Sequence, residues 1–116
     1  MIDIFEIQLE KAAELIKNSK HMTAFTGAGI SVESGIPSYR GEGGLWTKYD
    51  TKMLELNYFY SQPKEAWETI RKIFYEYFGK ASPNQAHEGL AKLEKGGLLK
   101  AVITQNIDNL HYEAGN

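Results

Sequence analysis

Cysteine is absent from the 116 residues of the sequence, which excludes disulfides and thiolate metal sites. Long apolar runs are also absent. No stretch reaches the roughly 18 residues that a membrane helix needs, and residues 1–10 lack the basic start of a signal peptide. We therefore expect a cytoplasmic protein with no membrane partner. A net charge of −2 provides no overall basic field, so a direct nucleic-acid partner is not expected either.

The composition is that of an ordinary globular domain, with 42% hydrophobic and 24% charged residues. A chain of this length can bury one small core but not two. Apolar residues recur at helical spacing between Ile2 and Ile16 and predict an amphipathic helix. We expect its apolar face to pack on a sheet rather than to bind a partner helix.

Glycine is concentrated in the segment Thr26–Trp46, TGAGISVESGIPSYRGEGGLW. Because glycine is unfavourable inside regular elements, such density indicates tight turns or close backbone approach. The apolar residues before it, His21–Phe25, predict a buried strand, and a strand that runs into Gly-x-Gly and a helix presents N–H groups to phosphate. The dinucleotide fingerprint is incomplete, since its third glycine position holds Val32. Residues Ser31–Ser34 allow one helical turn, which Gly35 is predicted to close as a left-handed cap. From this pattern alone, a phosphate loop and an ordinary glycine-rich loop remain equally open.

Helix boundaries are marked farther along the chain. Pro63 and Gly79 bracket an apolar stripe and predict a helix whose stripe we assign mainly to the core. Asn84 is the predicted N-cap of another helix, which ends at Gly96–Gly97. The segment Met53–Tyr60 remains open between a short helix and a loop packed by aromatic residues.

The segment Leu98–Thr104 is apolar nearly throughout and predicts a second buried strand of a parallel sheet. Strand, helices and strand in this order indicate an α/β fold. The glycine-rich segment and Gln105 then both follow carboxyl ends of strands, where open α/β sheets bind ligands. We expect residues 50–80 to form a small helical excursion from this domain.

Polar side chains after the second strand are the first candidates for ligand contacts. Asn106 can donate and accept hydrogen bonds, which suits a sugar hydroxyl or an ordered water, and Asp108 can accept from an amide group. Asp108 can instead cap the helix that follows it, and the local pattern favours that role. A lone loop arginine such as Arg40 is typical of a solvated charge.

Two long motifs carry a resemblance to a known family. GAGISVESGIPSYRG, with GLW after it, and TQNIDNLHYEAG resemble the signature segments of the sirtuins, the NAD-dependent protein deacylases. The resemblance covers essentially the whole chain. It implies a Rossmann-like α/β fold, a parallel sheet with flanking helices, of which residues 1–116 would form the N-terminal part. It also implies NAD as cofactor and an acyl-lysine protein as substrate.

The resemblance implies roles for individual residues. Asn106 and Asp108 would be catalytic residues in the nicotinamide pocket. Tyr39 would shield the nicotinamide, and Arg40 would lie beside the ribose and phosphates. The full set of cofactor-binding residues implied by the motifs is Gly27, Ala28, Gly29, Ile30, Ser31, Pro37, Tyr39, Arg40, Trp46, Gln105, Asn106, Ile107 and Asp108.

Two features of the family have no counterpart in this sequence. Sirtuins carry a zinc module held by four cysteines and a general-base histidine, both beyond the second motif. We therefore expect the N-terminal part of a sirtuin that is inactive alone, with no metal bound by this chain and zinc only in a full-length form. His87 and His111 match histidines that are not the general base, and we expect both to be packing residues. His21 is expected at the surface.

One difference from a subfamily pattern indicates which acyl groups the protein accepts. Sirtuins that remove succinyl or malonyl groups carry a Tyr-x-x-Arg pair, and the corresponding positions here are Ile70 and Ile73. An apolar pair offers no partner to an acidic acyl group, so we expect acetyl or longer uncharged chains. The alternatives are an NAD hydrolase or ADP-ribosyltransferase of the same superfamily, or a non-catalytic NAD-binding fragment. The oligomeric state is not indicated.

Overall fold

Helices alternate with two short strands in a computed structural model that describes residues 1–116. In chain order the elements are α1 (Ile4–Asn18), β1 (Met22–Thr26), a 3₁₀ helix (Ala28–Ser34), α2 (Leu45–Lys48), a 3₁₀ turn (Thr51–Leu54), α3 (Leu56–Ser61), α4 (Pro63–Glu76), a 3₁₀ turn (Phe78–Lys80), α5 (Gln85–Lys95), β2 (Leu99–Thr104) and α6 (Leu110–Ala114). None of the helices combines the length and hydropathy that crossing a membrane requires.

The two strands pair in parallel, as predicted, with Thr26 opposite Thr104 and Met22 opposite Leu99. Parallel pairing brings their carboxyl ends to the same edge of the sheet. The backbone N–H of Gln105 donates to the carbonyl of Thr26 at 3.3 Å, which extends the pairing to the start of the following loop. The glycine-rich segment and the second motif therefore leave the sheet side by side.

The predicted burial of the strands is wrong for most of their residues. Leu99 is buried under α5, which packs on β2. Phe25 and Ile103, however, are 73% and 55% exposed, because nothing in residues 1–116 covers their side of the two-stranded sheet. The predicted packing of α1 on the sheet is wrong as well, since α1 buries none of its residues.

The region from Thr51 to Lys80 consists of helices that pack on one another. The segment left open by the sequence forms a 3₁₀ turn followed by α3. Pro63 begins α4 as predicted, but the helix ends at Glu76 and tightens into a 3₁₀ turn that contains Gly79. The apolar stripe of α4 is only partly core: Ile73 is buried, whereas Trp67 is 59% exposed.

Predicted helix ends are confirmed at two other places. The Asn84 side chain accepts hydrogen bonds from the backbone N–H groups of Ala86 and His87, which caps α5. Gly35 has φ of 90° and closes the 3₁₀ helix after β1 in the left-handed conformation that glycine tolerates. That 3₁₀ helix begins at Ala28, three residues before the predicted start at Ser31.

Candidate functional site at the strand ends

A narrow cavity lies where the glycine-rich segment meets the second motif. Its volume of about 30 Å³ is room for a water molecule rather than for an aromatic ring. The predicted site residues that line it are Ala28, Ser31, Pro37, Tyr39, Asn106, Ile107 and Asp108. Three further residues complete the lining without having been predicted, and these are Ile36, Leu45 and Phe78.

A buried carboxylate forms the polar side of the cavity. The Ser31 hydroxyl donates to Asp108 Oδ2 at 2.6 Å, and the backbone N–H of Leu110 donates to Asp108 Oδ1 at 3.1 Å. The N-cap residue of α6 is Asn109, whose side chain makes no capping hydrogen bond. Asp108, one residue earlier, caps the helix in its place by accepting from the first helical N–H, and the same carboxylate also lines the cavity. Ser31 is buried and hydrogen-bonded here, rather than standing free on the loop surface as a partner for phosphate.

Asn106 connects the two motifs. Its Nδ2 donates to the carbonyl oxygen of Gly27 at 2.9 Å, and its backbone N–H donates to Thr104 Oγ1 at 3.1 Å. The amide oxygen of Asn106 forms no hydrogen bond, so it remains available to a ligand in the cavity. The Gln105 side chain lies over Gly27, since a Cβ there would be 2.7 Å from Gln105 Nε2.

Two buried histidines contact the residues of the first motif that lie beside the cavity. His87 is fully buried, and its Nδ1 accepts the backbone N–H of Asn84 at 3.1 Å. The proton of the neutral ring is thus on Nε2, which lies 3.4 Å from Ser31 Oγ. Burial and the neighbouring His111 ring, 4.9 Å away between centroids, lower the pKa of His87 below its usual value. His111 Nε2 lies 2.8 Å from Thr26 Oγ1, and both histidines are buried, as expected of packing residues.

A local sequence pattern indicates the position of His87. An Asn N-cap followed three residues later by a side chain that can accept from the cap's own N–H is a capping box, and His87 occupies that position. The link from His87 to Ser31 crosses 56 residues of sequence, and no local pattern predicts it.

An apolar cavity of about 80 Å³ adjoins the first one and shares four of its lining residues. Ile70 and Ile73 line it, as do Leu54 and Phe74. The four shared residues are Tyr39, Leu45, Phe78 and Ile107. No charged side chain lines this cavity, so it can hold an uncharged aliphatic group and offers nothing to a carboxylate.

The loop between the 3₁₀ helix and α2 folds back on itself. The backbone N–H groups of Leu45 and Trp46 donate to the carbonyl oxygens of Ser38 and Tyr39 at 2.7 and 3.0 Å. The Tyr39 and Trp46 rings stack at 5.5 Å. Trp46 thus supports Tyr39 without lining the cavity. The other predicted cofactor residues outside the cavity lining are Gly27, Gly29, Ile30, Arg40 and Gln105.

A parallel sheet with a glycine-rich loop and a polar cavity at adjoining strand ends is the arrangement of a partial Rossmann-like α/β domain, and the candidate site lies at the edge where such sheets bind ligands. The model of the Sir2 family matches residues 27–116, and the chain belongs to this family. The NAD-dependent protein deacylase 2 of Archaeoglobus fulgidus is 50% identical over 96% of this chain and 44% of its own length. The NAD-dependent protein deacetylase of Caldivirga maquilingensis is 51% identical over 91% of this chain and 41% of its own length.

Solved structures agree with this assignment. A solved structure on the structural basis for the mechanism and regulation of Sir2 enzymes matches this chain with a TM-score of 0.86 and 50% identity. The match covers 96% of this chain and 44% of the solved chain. A complex of a Sir2 with a p53 peptide and NAD+ has a TM-score of 0.82 and 42% identity, with 93% and 42% covered. The chain therefore spans less than half the length of these relatives.

Proposed function

We propose that this chain supplies the NAD-binding and acyl-binding residues of an NAD-dependent protein-lysine deacylase, which cleaves the nicotinamide–ribose bond and transfers the acyl group to ADP-ribose. The observation that carries the proposal is the pair of adjoining cavities at the strand ends. One has the Asp108 carboxylate and the free Asn106 amide oxygen on its polar side, and the other is wholly apolar. Family membership and the names of the relatives support the same reaction.

The donor and acceptor set fits the nicotinamide end of NAD. When bound, NAD supplies a glycosidic bond whose cleavage leaves a ribose carbon open to attack by an acyl oxygen. Asp108 is suited to accept from the carboxamide NH₂, and Asn106 to hold a ribose hydroxyl or a water. Tyr39, Ile107 and Phe78 form the apolar walls that exclude water from the ring. Because the cavity is narrow, Tyr39 or Phe78 must shift to admit the ring.

The other parts of NAD are proposed to contact residues outside the cavity. The backbone of Gly27–Ile30 follows the strand directly and is proposed to face the diphosphate. Arg40 is exposed on the loop and is proposed to lie beside the ribose and phosphates, while Gln105 borders Gly27. No cysteine is available to hold zinc, so zinc and the general-base histidine remain predictions for a longer protein. This chain alone is expected to be inactive.

Ile70 and Ile73 are proposed to contact the acyl group. Their cavity contains no cation, so a succinyl or malonyl carboxylate would be desolvated there without a partner. Acetyl and longer aliphatic chains would instead bury apolar surface against these side chains. The proposed substrates are therefore proteins that carry uncharged acyl-lysines.

The test measures nicotinamide release from NAD by the natural protein at its full length. We expect release with an acetyl-lysine peptide and little with a succinyl-lysine peptide. Equal release without peptide would favour an NAD hydrolase. Binding of NAD without release would favour a non-catalytic module.

A matched pair of variants places the activity at the cavity. Ile107 and Ile2 are both exposed isoleucines, but only Ile107 lines the two cavities, whereas Ile2 precedes α1. We expect Ile107→Ala to lower kcat/KM about tenfold, and Ile2→Ala to leave it within about twofold. Equal effects of the two substitutions would contradict the proposed site.

A further inference from the structure

Four side chains at the C-terminal ends of α2 and α4 contact one another and join the two helices. Lys48 Nζ donates to the Tyr77 hydroxyl at 2.8 Å and lies 3.8 Å from Glu76 Oε1. The Tyr49 hydroxyl donates to Glu76 Oε2 at 3.3 Å. We call these four residues the latch. The hydrogen bond to Tyr77 raises the pKa of Lys48 above its usual value, as expected for an ammonium group that donates to this hydroxyl.

The latch lies next to the residues that form the proposed site. On one side, Lys48 follows Leu45, which is buried and lines both cavities. Trp46, which stacks on Tyr39, is in the same short helix. On the other side, Tyr77 is adjacent to Phe78, which also lines both cavities. The latch therefore connects the two chain segments that carry Leu45 and Phe78, both of which line the site.

The connection is made at one end of the loop only. Residues 40–43 of the loop are exposed. The backbone hydrogen bonds that Leu45 and Trp46 of α2 donate to the loop reach only Ser38 and Tyr39. Without the latch, few polar contacts would hold α2 to α4. A segment with fewer anchors loses more conformational freedom when it closes on a ligand, and affinity falls accordingly.

We propose that Lys48, Tyr49, Glu76 and Tyr77 are positioning residues that hold the Tyr39–Trp46 segment against α4 and thereby set the affinity for NAD. This role rests on the proposed function for its kinetic consequence. Its structural consequence, an ordered loop, does not depend on that function. The latch acts through Leu45 and Tyr39, and none of its four members lines a cavity.

The structural consequence is tested by amide hydrogen exchange in the full-length protein without NAD. The amides of Leu45 and Trp46 report the loop, because both donate within it. Lys48→Met and Tyr77→Phe should each speed their exchange about two- to fivefold, the range expected for exposed polar contacts. Lys72→Met is the matched control, since Lys72 is an exposed lysine of α4 without an ion pair. Unchanged exchange in both latch variants would overturn the proposal.

The kinetic consequence is tested with the same variants. In Lys48→Met and Tyr77→Phe we expect KM for NAD to rise about two- to fivefold, with kcat within about twofold of the wild type. Lys48→Arg retains a donor and a charge, so its KM should remain near that of the wild type. The double variant of Lys48 and Tyr77 should have a smaller effect than the sum of the two single ones, because each single substitution already removes the Lys48–Tyr77 hydrogen bond. A fall in kcat at constant KM would overturn a positioning role. If the wild-type protein releases no nicotinamide, the proposed function fails, and the exchange measurement still decides whether the latch orders the loop.

Discussion

Replacing Asp108 with asparagine is a nearly isosteric change that the surrounding hydrogen bonds should not tolerate. The Ser31 hydroxyl needs an acceptor and finds it in Asp108 Oδ2. His87 cannot take over, because its Nδ1 accepts from Asn84 and its Nε2 therefore carries the proton. An amide at position 108 that still accepts from Leu110 would turn its NH₂ toward Ser31 Oγ. The hydroxyl oxygen could accept from that NH₂, but the hydroxyl proton would then have no acceptor.

The opposite orientation of the amide is no better. Its oxygen would accept from Ser31, but its NH₂ would face the backbone N–H of Leu110, which Asp108 Oδ1 now satisfies at 3.1 Å. Asn106 offers no relief, because its Nδ2 is a further donor 3.5 Å from Ser31 Oγ. One buried donor is left unsatisfied in either orientation. Such a group costs about 1–3 kcal/mol, and we expect Asp108→Asn to lower the free energy of unfolding by that amount.

The assay is urea denaturation of the wild type, Asp108→Asn, Ser31→Ala and the double variant. In the Ser31→Ala background the hydroxyl proton is gone, so the cost of Asp108→Asn should fall by about 1 kcal/mol or more. Glu113→Gln is a control for loss of one carboxylate charge on exposed surface of α6, and should be neutral within about 0.5 kcal/mol. Strictly additive costs, or an Asp108→Asn variant as stable as the wild type, would refute this account of the hydrogen bonds.

Three further predictions concern stability. Gly44→Ala should lower the free energy of unfolding, measured by urea denaturation, by about 1–3 kcal/mol, because the added Cβ would lie 2.9 Å from the carbonyl carbon and oxygen of Arg40. An unchanged free energy of unfolding would contradict the packing of this loop. Gly89→Ala should stabilise by about 0.5–1 kcal/mol, since it lies within α5 and a Cβ there meets nothing within 4 Å; a loss of stability would contradict the open surroundings. The pKa of His87 is lower in the folded protein than the usual histidine value of 6.5, so near and below pH 6.5 the unfolded chain binds more protons at this residue than the folded chain does. The stabilisation by neutral His87 is therefore complete above pH 6.5 and is lost as the pH falls below it. The urea midpoint should therefore drop more steeply from about pH 7 to about pH 5.5 in the wild type than in His87→Gln, and equal slopes would contradict a neutral His87.

Local chemistry predicted much of this fold. Asn84 and Gly35 were correctly assigned as a helix cap and a left-handed helix end, because each role depends on a few neighbouring atoms. The parallel pairing of the strands followed from apolar runs separated by helices. The burial of Phe25 and Ile103 was predicted wrongly, because hydropathy reports what a side chain would gain from cover and not whether a neighbouring element provides it.

The same limit explains the helices. The spacing of apolar residues identified α1 and α4 correctly, since the period depends on backbone geometry alone. Which residues of those faces are covered depends on partners elsewhere in the chain. Trp67 and Ile73 belong to the same predicted stripe, yet only Ile73 faces Leu45 and the apolar cavity, while Trp67 packs edge-on against Phe59 near the surface.

Asp108 illustrates why residue roles are harder to predict than elements. The sequence presented helix capping and ligand binding as competing roles for this residue. The structure makes them compatible, because a carboxylate has two oxygens and only Oδ1 is engaged by the backbone of α6. The cap fixes the orientation of the carboxylate, and Ser31 fixes it a second time through Oδ2. A carboxylate held at both oxygens loses little freedom when it accepts one more hydrogen bond from a ligand, so the capping role itself prepares the proposed binding role.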